Sequence, residues 1–187
     1  MTRPSADSAA SAAPALSPRD ESIRTHQNTV IERMRQDLAA AQNTIVTTGR
    51  VADGLACNIA QGDYSAIADM GQNMGGDAAG PSPGFYARAG IVSCVAIGVK
   101  MLAAREGLTF RSVEVIIEND FDDAALMGLS ARTAAPYATR LRIAIDTDVE
   151  ATIVNDLVDR ALATDPWYLA LRDAQVVDHS VALTRNP

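Results

Sequence analysis

Residues 75–83 read Gly-Gly-Asp-Ala-Ala-Gly-Pro-Ser-Pro, and residues 89–99 read Ala-Gly-Ile-Val-Ser-Cys-Val-Ala-Ile-Gly-Val. The second run carries no charge. Cys94 lies in its middle, and Arg88 and Lys100 bracket it. Ser82-Pro83 suits a helix start, because proline is tolerated at the first helical position, where its missing N–H costs nothing. Gly107 suits a stop, because the residue after a helix often adopts a left-handed conformation. Together these signals predict a helix from about Pro83 to Glu106. A helix that is apolar on every face must be buried on every face. The rest of the chain therefore has to wrap around it.

Upstream, Ser17-Pro18-Arg19-Asp20 carries the same start signal, with an acid in the first turn. Ile23, Val30, Met34, Leu38 and Ala41 then fall on one stripe at helical spacing, opposite Arg24, Asn28, Glu32 and Arg35. This predicts an amphipathic helix over residues 17–42. Residues 44–52 are rich in β-branched types, and Asp53-Gly54 reads as a two-residue hairpin turn. Residues 55–60 return with Leu55, Cys57 and Ile59 on one face, and 64–69 make a third strand. The glycine-rich loop reads as a flexible connector.

Downstream, Val113, Val115 and Ile117 alternate with Ser112, Glu114 and Glu118, which predicts a half-buried strand over 110–118. Residues 119–135 read as a loop with a short turn around 124–129. Leu141, Ile143 and Ile145 mark a strand over 140–146. Thr147-Asp-Val-Glu150 reads as a capping box, with Val149, Ile153, Leu157 and Ala161 on the core side of the helix that follows. Asp165-Pro166 breaks that helix, and residues 174–183 suggest a last strand. Strands and helices are segregated and no βαβ unit repeats, so the class is α+β.

The 187 residues suffice for one ordinary domain, and the scarcity of aromatics makes its core aliphatic. A net charge of −7 argues against nucleic acid or an anionic membrane as partner. The uncharged run of eleven residues falls short of a membrane span. Residues 1–16, rich in Ala, Ser and Pro, read as a disordered tail without a signal core. Two cysteines, Cys57 and Cys94, exclude a disulfide-rich scaffold and point to a reducing, cytoplasmic setting.

Several chemistries fail on pattern. The glycine loop lacks both the Gly-Lys-Ser/Thr of a phosphate loop and the Gly-x-Gly-x-x-Gly of a dinucleotide site. His26 and His179 stand apart, no HExxH or Cys-x-x-Cys occurs, and neither a metal site nor another cofactor is called for. No Gly-x-Ser-x-Gly elbow exists. Cys94 remains. A thiol attacks as its thiolate, and Cys94 finds no activating cation on its own helix. Ala87, Gly90, Ile91, Ile97, Gly98 and Met101 share its face, while Arg88 and Lys100 lie roughly 120° round. An activating cation would have to come from another element, with Arg50 the candidate. Otherwise Cys94 is a buried structural residue, as Cys57 is on its apolar strand face.

Gly75-Gly76, then Gly80-Pro81-Ser82-Pro83 and an aliphatic helix carrying Ser93-Cys94, resembles the OsmC/Ohr family. The later strand-helix and the Asp165-Pro166 break are similar too, so the resemblance covers residues 43–184 and leaves the helix 17–42 outside. It implies an OsmC-like domain over 43–187. Its antiparallel sheets would wrap a long buried central helix in an intertwined homodimer, with two central helices back to back. Active members reduce organic hydroperoxides with two cysteines, an arginine and a glutamate. Cys94 matches the peroxidatic cysteine and Arg50 is a candidate for the arginine. Gly84 stands at the glutamate position and Asp165 at that of the resolving cysteine. The resemblance therefore implies either a peroxidase whose Cys94 depends on an external thiol reductant or a non-catalytic dimer binding a small apolar ligand between its central helices. Cys57 is a conceivable substitute for the resolving thiol, and the helix 17–42 a docking element.

Overall fold

A computed structural model describes residues 15–183. Residues 1–14, most of the tail expected to be disordered, lie outside the described residues. The first helix, α1, spans Pro18–Gln36, and Ser17 caps it by accepting a hydrogen bond from the Asp20 N–H. It ends about a turn earlier than its apolar stripe suggests. The Asp37 carboxylate accepts from the amides of Ala39 and Ala40 and diverts the chain into one turn of 3₁₀ helix, Ala39–Ala41. Ile23 and Val30 are half-buried, but Leu38 is exposed. The side chain of α1 buried most deeply is an acid, Asp20.

Strands β1 (Thr48–Val51), β2 (Cys57–Gln61) and β3 (Tyr64–Ala68) form an antiparallel meander in the order β1-β2-β3. The tight turn is not at Asp53-Gly54. Val51 pairs with Cys57, which leaves a loop of residues 52–56. The two-residue turn is Gly62-Asp63, between paired Gln61 and Tyr64, with Gly62 at φ 56°.

The glycine-rich segment is built rather than a loose connector. Asp69, 2% exposed, accepts hydrogen bonds from the amides of Met70, Asp77 and Ala79 at 2.7–3.1 Å. Those donors, Ala79 foremost, hold its carboxyl below the usual range. Gly76 and Gly80 are required by contact. A Cβ on Gly76 would collide with the Met70 carbonyl, and one on Gly80 with the Ile67 carbonyl. The segment delivers the chain to Ser82, which caps the next helix through the Phe85 N–H.

That helix, α2, spans Pro83–Arg105. It closes as expected at Gly107, φ 76°, with the Leu108 N–H on the Ala103 carbonyl and the Gly107 N–H on that of Ala104. Its 23 residues make the helix long and apolar enough to cross a membrane by length and composition, a length the eleven-residue run alone understates. Here it is the central core helix, packed against α1, β4, α4 and α5. These last are β4 (Ser112–Asp120), α4 (Ala151–Leu162) and α5 (Pro166–Arg172). Between them lie α3 (Asp123–Leu126) and β5 (Ala138–Asp146).

Strands β4 and β5 pair antiparallel over their full lengths. Their inward faces, including Val113, Val115, Ile143 and Ile145, meet Val95, Val99, Leu102, Phe110 and Leu157 in the core. Burial on every face of α2 does not hold within one chain. Val95, Val99, Leu102, Ala103 and Ala104 are buried, whereas Phe85 is 51% and Ile97 58% exposed.

Three further expectations are corrected. The capping box is not formed. Glu150 occupies the N-cap of α4 without a side-chain bond, and Thr147 Oγ1 instead donates to the Thr109 carbonyl and accepts from the Val149 N–H. Ile153 faces outward, its core place taken by Val154 beside Leu157 and Ala161. Residues 174–183 form no strand. A strand requires a paired edge, and no ladder among the described residues includes them.

Candidate functional site

Cys94 sits one turn before Gly98 on α2, on the side facing the junction of α4 and α5. A cavity of about 460 Å³ opens there. Gly90, Cys94, Ile97, Gly98 and Met101 form its helix wall, and Thr164, Asp165, Pro166 and Trp167 face them. Arg105, three turns along α2, lines its far end. The thiol is half-buried and free.

Asp165 is positioned by the local chain. Pro166 cannot continue α4 but can begin α5. The residue before it becomes the N-cap, a place that favours aspartate. Its Oδ1 accepts from the amides of Trp167 at 3.1 Å and Tyr168 at 2.8 Å. That commitment leaves Oδ2 turned to α2, where it lies 3.5 Å from the point a Cβ on Gly98 would occupy. The residue is 5% exposed. Glycine at position 98 leaves room for the carboxylate beside Cys94.

The electrostatics follow. Burial pushes the Cys94 thiol up from its ordinary pKa, and the hydrogen bond and negative charge of Asp165 push it further. The Trp167 backbone N–H works in the opposite direction. A thiol beside a carboxylate stays protonated, because the proton is shared and a second negative charge is opposed. The charged group packed beside Cys94 is an acid from the junction of α4 and α5, not the expected cation.

Arg50 lies on exposed β1, paired in register with Asn58, and is absent from the lining of the Cys94 cavity. Arg88 folds back over the first turn of α2. Its Nη1 lies 3.1 Å from the point a Cβ on Gly84 would occupy. Cys57 Sγ packs against Gly49 across β1 and β2 and does not line the cavity. His26 is exposed on α1, with Nδ1 2.7 Å from the Ser22 carbonyl, and His179 is exposed beyond α5. The resemblance puts Asp165 at the resolving-cysteine position and the residue does lie beside Cys94, whereas sequence reasoning missed Arg105 in the cavity lining. The Asp-Pro cap was visible, but packing α5 against α2 was not.

The family model for OsmC-like proteins matches residues 75–180. No curated protein matches the chain. Among solved structures, the fold is similar to that of an OsmC-like protein from Mycoplasma pneumoniae, at TM-score 0.60 and 12% identity over 70% of this chain and 89% of that one. It is also similar to an organic hydroperoxide resistance protein OsmC from Legionella pneumophila, at TM-score 0.50 and 17% identity over 70% and 90% of the two chains. At such identities these likenesses concern the fold. The family match spans more than half of the 187 residues and includes the loop, the central helix and both walls of the cavity. The chain belongs to the OsmC-like protein family.

Proposed function

We propose that this protein reduces small apolar organic hydroperoxides at Cys94, with an external thiol completing the cycle. The observation that carries the reading is a free thiol opening into a largely apolar cavity in a chain of this family. In the first step the Cys94 thiolate attacks the terminal oxygen of the hydroperoxide. The S–O bond forms as the O–O bond breaks. The alkoxide leaves and takes a proton to become the alcohol, and Cys94 becomes a sulfenic acid. An outside thiol condenses with the sulfenic acid, releasing water, and a second reduces the mixed disulfide to restore Cys94. Arg50 would have to approach from β1, or from a second copy, to stabilise the thiolate. Its exposure leaves it free to do so.

The working unit in this reading is a homodimer in a cytoplasmic, reducing setting. The exposure of Ile97, an apolar residue at the lip of the Cys94 cavity on α2, supports a second copy as the cover. Loss of cumene hydroperoxide measured with dithiothreitol and with a dithiol such as dihydrolipoamide tests the activity. Turnover that disappears in Cys94→Ser supports it, and no turnover with either reductant overturns it. Asp165 favours a second reading, a non-catalytic dimer that binds a small apolar ligand, because it keeps Cys94 in the unreactive form. Mass spectrometry of the undenatured protein would reveal such a ligand as a retained mass.

A further inference from the structure

Reduction of a hydroperoxide moves a proton as well as an oxygen atom. When sulfur attacks the terminal oxygen, the other oxygen departs as an alkoxide, a poor leaving group until it is protonated. A proton delivered as the O–O bond breaks lowers that barrier. At neutral pH the Cys94 thiol holds the proton, so a carrier between the sulfur and the departing oxygen is required. The cavity lining contains few candidates. Ser93 and Thr164 donate their hydroxyls to carbonyls of α2 and α4. Arg105 does not give up its proton. Asp165 is different. Its side chain is buried, and Oδ1 is committed to the amides of Trp167 and Tyr168. Oδ2 accepts from no backbone amide among the described residues and faces Gly98, one turn beyond Cys94. Arg160, near the end of α4, is paired with Glu106 and Asp156 and does not neutralise it.

We propose that Asp165 is a catalytic residue, the proton relay of the peroxide step: Oδ2 takes the proton of the Cys94 thiol as the sulfur attacks and gives it to the departing alkoxide oxygen. The thiol proton ends on the alcohol. The hydroperoxide's own proton stays on the transferred oxygen as the sulfenic hydroxyl. Sulfur gives two electrons to the breaking O–O bond, and Asp165 returns to the carboxylate. The group that opposes a standing thiolate thus makes the thiol competent toward an electrophile whose leaving group needs a proton. The inference rests on the reading of Cys94 as the peroxidatic thiol.

Iodoacetamide supplies the contrast, because iodide leaves without a proton. The full-length protein is mixed at neutral pH, without reductant, with cumene hydroperoxide or with iodoacetamide, and loss of the thiol is followed on the Cys94 peptide by mass spectrometry. Asp165→Asn keeps a capping oxygen and loses the proton acceptor. It should react with the hydroperoxide about tenfold more slowly than the wild type, since general acid–base assistance is worth about a hundredfold or more and a larger thiolate fraction returns part of it. Its alkylation should instead be faster. Asp165→Ser, which also caps, should show the same opposed pair of changes. Variants in which both rates rise, or in which the hydroperoxide rate stays at the wild-type level, overturn the relay and leave the peroxidase reading standing. A wild type whose Cys94 does not react with the hydroperoxide overturns both.

Discussion

The Asp165 carboxylate lies beside the Cys94 thiol, held there by the two α5 amides it caps. The arrangement suppresses thiolate at neutral pH. Asp165→Asn keeps a capping oxygen and removes the charge. It should raise the rate of Cys94 alkylation by iodoacetamide several-fold at neutral pH and move the pH–rate profile toward lower pH. In the wild type the rate should climb through the alkaline range, because the folded thiol titrates above its ordinary value. An unchanged profile in the variant would sink this account. Cys57 is outside the cavity, so the readout is taken on the Cys94 peptide.

Asp69 should make stability fall in acid. Its folded pKa is depressed, mainly by the Ala79 amide, so its contribution is present above the ordinary carboxylate value. It is lost as pH falls through the lower folded value. Asp69→Ala should lower the thermal midpoint by about 5 °C or more and flatten the acid limb of stability against pH. Thermal melts at stepped pH would check both. The adjoining Gly80→Ala should be worse tolerated, since its methyl group meets the Ile67 carbonyl.

Lys100 ties α1 to the central helix. Its ammonium pairs with Asp20 at 2.9 Å and also donates to the Phe110 carbonyl, and the Asp20 side chain is 5% exposed. Removing one partner strands the other in the interior. Lys100→Met should cost about 3 kcal/mol, and Asp20→Leu with Lys100→Met should recover much of that loss. Urea unfolding of the wild type, Lys100→Met, Asp20→Leu and the double variant closes the cycle. An additive double variant would show that the two groups do not act as a pair.

Ile97 is 58% exposed at the centre of α2, at the lip of the Cys94 cavity. If a second copy covers this face, Ile97→Asp should convert a dimer into a monomer in sedimentation velocity. A wild type that sediments as a monomer would refute the expected dimer directly. Loss of the dimer should also slow hydroperoxide turnover.

Much of this fold was legible because local rules and global packing agree. The starts of α1 and α2 follow from Ser-Pro, and the stop at Gly107 from its left-handed conformation. The alternation of Val113, Val115 and Ile117 placed β4 correctly. The errors share a cause. Residues 174–183 have strand-like composition, but pairing is non-local. Thr147-to-Glu150 has the residues of a capping box, but Thr147 is drawn to the Thr109 carbonyl, a contact across the fold. Asp53-Gly54 has the residues of a tight turn, yet the register of β1 on β2 placed it inside a longer loop.

By itself the sequence determined the starts of α1 and α2, the stop at Gly107, the meander, the α+β class and the place of Cys94 on an apolar helix. These depend on backbone preference and on spacing within a few residues. Only the tertiary structure decided what surrounds the thiol. Asp165 is 71 residues from Cys94 along the chain, and its place beside the thiol depends on how α5 docks against α2. The charge environment of a cysteine is set by distance through space, so it becomes readable only when the elements are packed.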